Sequence, residues 1–287
     1  MRIVIAIAAL FILGLTSCNR THKNSDTRPV ISVSIFPVKT IIDRLSDQYY
    51  QVNVMIPKNI GHSDYSPTAR QMKDLSTSKA YLAIGPLDFE LTWGERLKSV
   101  SLEMAWIDLS NGIDLIDGHV CNHEGDEHHH HTAAYDPHYW MSPLSAMKMV
   151  ENIKDELIRL NPEIKSVVEK NHQALQLEMN AIHQELISVA EANDSLTFMI
   201  YHPALGYLAR DYGFNQLEME ENGKAPTPVG LKRQIERARD MNVKIMFVQQ
   251  NFDVNNAKTA AEEIGARIIQ INPESEAWLE ELQQIAN

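Results

Sequence analysis

Short runs rich in β-branched and apolar residues alternate along this chain with segments of helical period, in two sets separated by one long amphipathic stretch. The first set is VISVSIF (Val30–Phe36), QVNVMI (Gln51–Ile56), AYLAIG (Ala80–Gly85) and MAWIDL (Met104–Leu109). The second is LTFMIY (Leu196–Tyr201), NQLEME (Asn215–Glu220), VKIMFVQ (Val243–Gln249) and ARIIQI (Ala266–Ile271). Strand runs joined through helical segments pair in parallel, because a parallel connection needs a crossover of helix length. The expected fold is therefore α/β, with two parallel-sheet lobes. Between the sets, Ile164, Val168, Leu175, Met179, Ile182, Leu186 and Val189 step by three, four or seven and define one apolar stripe. No glycine or proline interrupts it, so Pro162–Ala192 reads as one long helix, about 39 Å from Ile164 to Val189 and able to lie against both lobes. Two shorter helices or a coiled-coil segment would show the same period.

The N-terminus sets the compartment. Arg2 precedes thirteen apolar residues, Ile3–Leu15; that is the layout of an export signal and too short to span a bilayer. It ends in L-T-S-C at Leu15–Cys18, which resembles the bacterial lipobox and makes Cys18 the expected lipidated first residue; a plain secretory signal is the alternative. The polar segment Asn19–Arg28 reads as a tether. The only other cysteine, Cys121, then has no intrachain partner. Later stretches are too polar for a transmembrane helix, so the rest is expected to be soluble and held at a membrane surface. With 26 Lys and Arg against 38 Asp and Glu, the chain carries a formal charge of −12, which repels phosphate backbones and excludes nucleic acid as the expected partner.

The chain holds 12 histidines, and three isolated ones fall in loops after strand runs, the usual ligand edge of an α/β sheet. His62 lies in NIGHSDYSPT, ahead of a helix that Thr68 can cap. His138 lies in DPHYWMSP and His202 in YHPALGYLARDYG. Singly, each fits a hydrogen-bonded structural histidine as well as a ligand. Three at strand ends in an exported acidic protein favour ligands. A further cluster, His119, His123, His128, His129, His130 and His131, sits in the low-complexity segment DGHVCNHEGDEHHHHTAA with Cys121, Glu124, Asp126 and Glu127. Its composition is that of a loose chelator, or else of a solvated spacer. Cys121 offers either a thiolate ligand or an intermolecular disulfide.

These motifs together resemble the substrate-binding lipoproteins of bacterial ABC importers for zinc and manganese. DPHYWMSP resembles the family's D-P-H-x-W-x-x-P signature, HPALGYLARDYG its H-x-A-x-x-Y-x-x-x-x-x-G block, and NGKAPTP its G-x-x-P-S-P turn, over roughly Pro29 to Pro273. The resemblance implies two α/β lobes joined by a rigid helix with the metal between them, and His62, His138 and His202 as ligands. The chain departs from the pattern twice. Ile60-Gly61 precede His62 where relatives have Asp-Pro or Glu-Pro, and Asn272-Pro273 stand where many have Asp-Pro with the Asp as fourth ligand. The fourth position is thus open to water, the Asn272 carbonyl or a carboxylate such as Glu274. Three imidazoles suit Zn²⁺, whereas Mn²⁺ favours more carboxylate oxygens.

The expected organisation is a lipoprotein signal peptide at 1–17, a tether at 18–28, a first lobe at 29–161 with the His-rich loop at 117–134, a linking helix at 162–192 and a second lobe at 193–287. The expected function is a membrane-tethered, monomeric, extracytoplasmic binding protein that captures Zn²⁺ and hands it to an ABC permease served by a separate ATPase. A manganese-binding protein, a metal-dependent adhesin or a zinc-buffering lipoprotein would use the same ligands. A zinc hydrolase would also exploit an open fourth position, but no helical H-E-x-x-H is present: His123-Glu124 is followed by His128. G-x-x-x-x-G-K-[ST] and G-x-S-x-G are also absent, so no enzymatic activity is expected. The methionines Met141, Met147 and Met149 and the tryptophans Trp93, Trp106 and Trp278 read as core. Glu274–Ile285 reads as an acidic helix with Trp278 and Leu282 turned inward.

Overall fold

A computed structural model of the chain describes residues 27–63, 65–118, 135–221, 224–250 and 254–287. The signal segment, Cys18, Cys121 and the cluster His119–His131 lie outside the described residues.

Each of the eight β-rich runs marks a strand, the third starting two residues earlier than its run: β1 (Val30–Val33), β2 (Gln51–Val54), β3 (Ser78–Ala83), β4 (Ala105–Asp108), β5 (Thr197–Ile200), β6 (Asn215–Glu218), β7 (Ile245–Gln249) and β8 (Arg267–Ile271). They form two four-stranded parallel sheets of order β2-β1-β3-β4 and β6-β5-β7-β8. The helices are α1 (Phe36–Ser46), α2 (Ala69–Leu75), α3 (Asp88–Lys98), α4 (Pro143–Leu160), α5 (Lys165–Ala192), α6 (Gly206–Tyr212), α7 (Pro228–Asp240), α8 (Val254–Ile264) and α9 (Trp278–Ala286). Local chemistry starts them where the sequence allows. Thr68 and Gln71 form a reciprocal capping box at α2, and Pro143 and Pro228 occupy first-turn positions that have no N–H to lose.

Period-two alternation decides how the second sheet is shared. Phe198, Ile200, Phe247 and Ile271 face a core continuous with the first lobe, where Ile31, Val33 and Tyr81 are buried. Met199, Tyr201, Met246 and Val248 face the opposite side, toward Ile235 and Ala238 of α7 and Ala257, Ala260 and Ala261 of α8. The long helix begins at Lys165 after a 3-10 turn at Pro162–Ile164, and spans about 42 Å at 1.5 Å per residue. All seven stripe residues belong to the shared core or pack against it. It lies against α1, α4, α6 and α9, elements of both halves of the chain.

Helix α9 starts at Trp278, later than expected, with Trp278 and Leu282 buried. Although last in sequence, it returns to pack on α1 and α5. Two buried indoles fasten this return: Trp140 Nε1 donates to the Pro273 carbonyl (2.8 Å) and Trp278 Nε1 to the Trp140 carbonyl (2.8 Å). The strand order of the first sheet reverses between β1 and β3, leaving a crevice at their carboxyl ends. Glu90 of α3 fills it, its carboxylate accepting the Ile84 N–H (3.0 Å), the Gly85 N–H (2.7 Å) and the Ser34 hydroxyl. Burial pushes this carboxyl up to about 7 against the pull of those donors.

The stripe predicts a sharp contrast on one helix. Leu175 is fully buried and Leu177 is 72% exposed. Leu175→Ala is expected to cost about 2–5 kcal/mol in urea unfolding of the metal-free protein, and Leu177→Ala to stay within about 0.5 kcal/mol of the parent. Equal losses would contradict the packing of α5.

Candidate metal centre

His62, His138 and His202 reach the same point from three different segments. His62 lies in the loop between β2 and α2. Just before it, the parallel ladder continues through Met55 N–H to the Val33 carbonyl (2.9 Å) and Ile56 N–H to the Ser34 carbonyl (3.0 Å). Asn59 then adopts a left-handed φ of 62° and turns the chain back. His138 follows an antiparallel bridge between Asp117 and Tyr135 and a bond from Asp136 N–H to the Ile116 carbonyl (2.9 Å). His202 follows β5 at the point where the second sheet reverses its strand order. Gln249 at the end of β7 grips its backbone on both sides, accepting the His202 N–H (3.2 Å) and donating to the His202 carbonyl (2.5 Å).

One ring nitrogen from each histidine lies within 4.8 Å of the other two, the only such His, Cys, Asp or Glu cluster among the described residues. His62 Nε2 and His138 Nε2 stand 3.3 Å apart. Two nitrogens bound tetrahedrally to one Zn²⁺ at 2.0–2.1 Å would also stand about 3.3 Å apart. The His138 ring centre is 5.3 Å from each of the other two. His62 and His138 are buried, and His202 is partly exposed.

Carboxylates fix two of the rings. Asp136 Oδ1 lies 2.7 Å from His138 Nδ1 and also accepts the His138 backbone N–H (2.9 Å). Glu220 Oε2, just past the end of β6, lies 2.8 Å from His202 Nδ1 and is itself buried. Against a carboxylate acceptor the Nδ1 must carry the hydrogen, which leaves Nε2 with a free lone pair aimed into the cluster. His62 has a longer contact, Nδ1 to Ser63 Oγ at 3.5 Å. Burial first, then His138 and His202 nearby, hold the His62 pKa well below its ordinary value, so this imidazole is neutral and ready to donate its lone pair.

The fourth side of the cluster is bordered by the turn after β8. Asn272 Oδ1 accepts the Glu274 N–H (3.1 Å), and Asn272 N–H donates to Glu281 Oε2 (3.0 Å), so the Asn272 amide oxygen caps its own turn. Glu274 turns toward the histidines: its carboxylate accepts the His62 backbone N–H and lies within electrostatic reach of His202. Burial pushes this carboxyl up to about 7, against both of those influences. The remaining described histidines serve elsewhere, His172 beside Glu151 and His183 on the Tyr212 hydroxyl.

The fold agrees with that of known proteins. A family model described as zinc-uptake complex component A, periplasmic, matches residues 31–284. The chain belongs to that family. It is 28% identical over 277 residues to the high-affinity zinc uptake system protein ZnuA of Bacillus subtilis, covering 93% of this chain and 86% of that one. It is 24% identical to the zinc-binding lipoprotein AdcA of Streptococcus pneumoniae over 95% of this chain, and spans 55% of that longer protein. Among solved structures, a crystal structure of ZnuA superposes with a TM-score of 0.79 at 29% identity, covering 90% of this chain and 96% of that one. A zinc-bound deletion mutant of ZnuA superposes with a TM-score of 0.78, also at 29% identity.

The neutral state of His62 has a sign that can be checked. A histidine whose folded pKa is depressed contributes stability that is present above its unfolded value of 6.5 and is lost as pH falls through the folded pKa, because only the unfolded chain takes up the proton. In urea unfolding with a chelator present, the stability of wild type relative to His62→Gln is therefore expected to be greater at pH 7.5 than at pH 5.0. An unchanged difference would show that the fold does not hold His62 neutral.

Proposed function

We propose that this protein captures Zn²⁺ outside the cytoplasm and delivers it to the permease of an ABC importer, with His62, His138 and His202 as the ligands of the carried ion. The observation that carries this reading is the convergence of three imidazole nitrogens from both halves of a member of the zinc-uptake family, two of them braced by carboxylates. Three imidazole donors, two of them at tetrahedral spacing, favour Zn²⁺ over Mn²⁺, which gains more from carboxylate oxygen. Asp136 and Glu220, held behind His138 and His202, offset the ion's charge without touching it. Glu274, water or the second lone pair of the Asn272 oxygen takes the fourth position, and Glu274 is favoured because its carboxylate already reaches the His62 backbone N–H. The protein releases its ion unchanged and catalyses no reaction. ATP hydrolysis belongs to a separate subunit.

Two further parts of the reading rest on sequence. Cys18 carries a lipid that holds the mature protein at a membrane surface, with the polar segment after it as tether; among the described residues no helix is long and apolar enough to cross a membrane. His119, His123, His128, His129, His130 and His131 bind zinc loosely at variable stoichiometry and raise its concentration near the fixed site.

Competition titration with zinc chelators tests the assignment. His62→Ala, His138→Ala and His202→Ala are each expected to weaken the tight site by more than the roughly 10–100-fold that removal of an outer-sphere partner costs. Deletion of residues 119–131 should remove only weaker sites. Glu274→Gln should weaken zinc binding more than Asn272→Asp, which keeps the turn's acceptor. Tight binding that survives all three histidine substitutions would overturn the site, and its loss on loop deletion would overturn the division of labour. Membrane fractionation tests the anchor: Cys18→Ala should release the processed protein with its zinc affinity unchanged.

A further inference from the structure

The segment that carries His202 also grips His138. Four residues beyond His202, Gly206 opens α6, and Tyr207 follows with its side chain fully buried. The Tyr207 hydroxyl donates to the Asp136 carbonyl (2.6 Å) and accepts the Ile116 N–H (3.1 Å). Ile116 and Asp136 are themselves joined by the bond from Asp136 N–H to the Ile116 carbonyl (2.9 Å). A single phenol thus satisfies one part-buried backbone group on Ile116 and one on Asp136, and both of its own hydrogen-bonding roles are used. Burial pushes the Tyr207 pKa up to about 12, which keeps it a donor at every physiological pH.

Three neighbours set the same grip. A Cβ at Gly206 would stand 2.9 Å from Asp136 Oδ2, so the bare backbone of the helix start lies directly beside the carboxylate that holds His138. Arg210, one turn on, covers the Tyr207 ring at 5.0 Å and donates to the Asp114 carbonyl (2.6 Å). Ser142, where α4 begins, donates to Asp211 Oδ2 at 2.5 Å. Helix α6 of the second half of the chain therefore clasps the DPHYWMS segment of the first half on both sides of His138.

We propose that Tyr207 is a positioning residue for His138, acting across the lobes through Asp136, with Gly206 supplying the room the carboxylate needs. This rests on His138 being a ligand, as proposed above. The stretch from His202 to Tyr207 then works as a short arm that bears one ligand and sets the ring angle of another. The spacing of these two imidazoles is fixed before any ion arrives, and binding does not have to supply the energy of ordering them. Removing the phenol hydroxyl strands the Asp136 carbonyl and the Ile116 N–H, lets the pairing of these two residues relax, and frees the carboxylate from its place behind His138 Nδ1.

The test uses full-length protein with ¹⁵N-labelled histidine, metal-free and zinc-loaded. In wild type, the His138 Nδ1–H is expected as a hydrogen-bonded, slowly exchanging imidazole resonance without any metal. Tyr207→Phe should shift or broaden it, leave the His202 Nδ1–H resonance in place, and weaken zinc binding about tenfold, in the range for outer-sphere partners. Tyr212→Phe, which removes a different buried phenol from the same helix, should change neither resonance nor affinity. Gly206→Ala keeps the phenol but pushes on Asp136 Oδ2, and should disturb the same His138 signal, so it serves if Tyr207→Phe folds poorly. Wild-type His138 resonances and zinc affinity in both Tyr207→Phe and Gly206→Ala would overturn the proposal. A displaced resonance with unchanged zinc affinity would instead contradict the assignment of His138 as ligand and leave the clasp on its ring intact.

Discussion

Three imidazoles crowded together gain almost nothing from one another. Their lone pairs converge, and protonation of His62 is opposed by burial and by the other two rings, which hold its pKa down. Without an ion the arrangement must be held from outside, and much of the surrounding structure does so. Asp136 and Glu220 fix ring orientation. Gln249 fixes the backbone of His202. The Asn272–Glu274 turn closes the fourth side, fastened to the first lobe by the Trp140 indole.

Holding groups from two lobes at bonding distance requires lobes that do not drift. A flexible linker would leave that job to the ion. Here the inner face of the second sheet, the stripe of α5 and the returning helix α9 all contribute to one apolar core with the first lobe, and burial of that kind is lost only if the lobes separate. The two indole bonds between Trp140, Pro273 and Trp278 add direction to the packing. Such a frame suits an ion of fixed coordination geometry, because it offers the ligand spacing in advance.

Most of the architecture was legible in the sequence because it rests on periodicity. Short β-branched runs gave all eight strands, and the stripe from Ile164 to Val189 gave the long helix and the face it buries. Thr68 was recognisable as a cap because its chemistry is local. The groups that brace the site were not legible for the opposite reason. Glu220 looks like one acidic residue in an acidic run, and only the parallel pairing of β5 with β6 brings it beside His202. Glu90 reads as a helix-surface carboxylate until strand order shows the crevice it fills. Asn272 stood out as the position of a family ligand, but the bond its amide oxygen accepts from the Glu274 N–H belongs to a turn that sequence alone does not display. The return of α9 to the first lobe has no sequence signal beyond the pattern of Trp278 and Leu282.

The central claim is that one ion is held jointly by His62, His138 and His202. Anomalous diffraction at the zinc edge from crystals of the zinc-loaded protein tests it most directly. The account predicts one strong peak about 2.0–2.1 Å from Nε2 of all three histidines. A peak that omits any of the three rings, or one ligated from a single lobe, would contradict it.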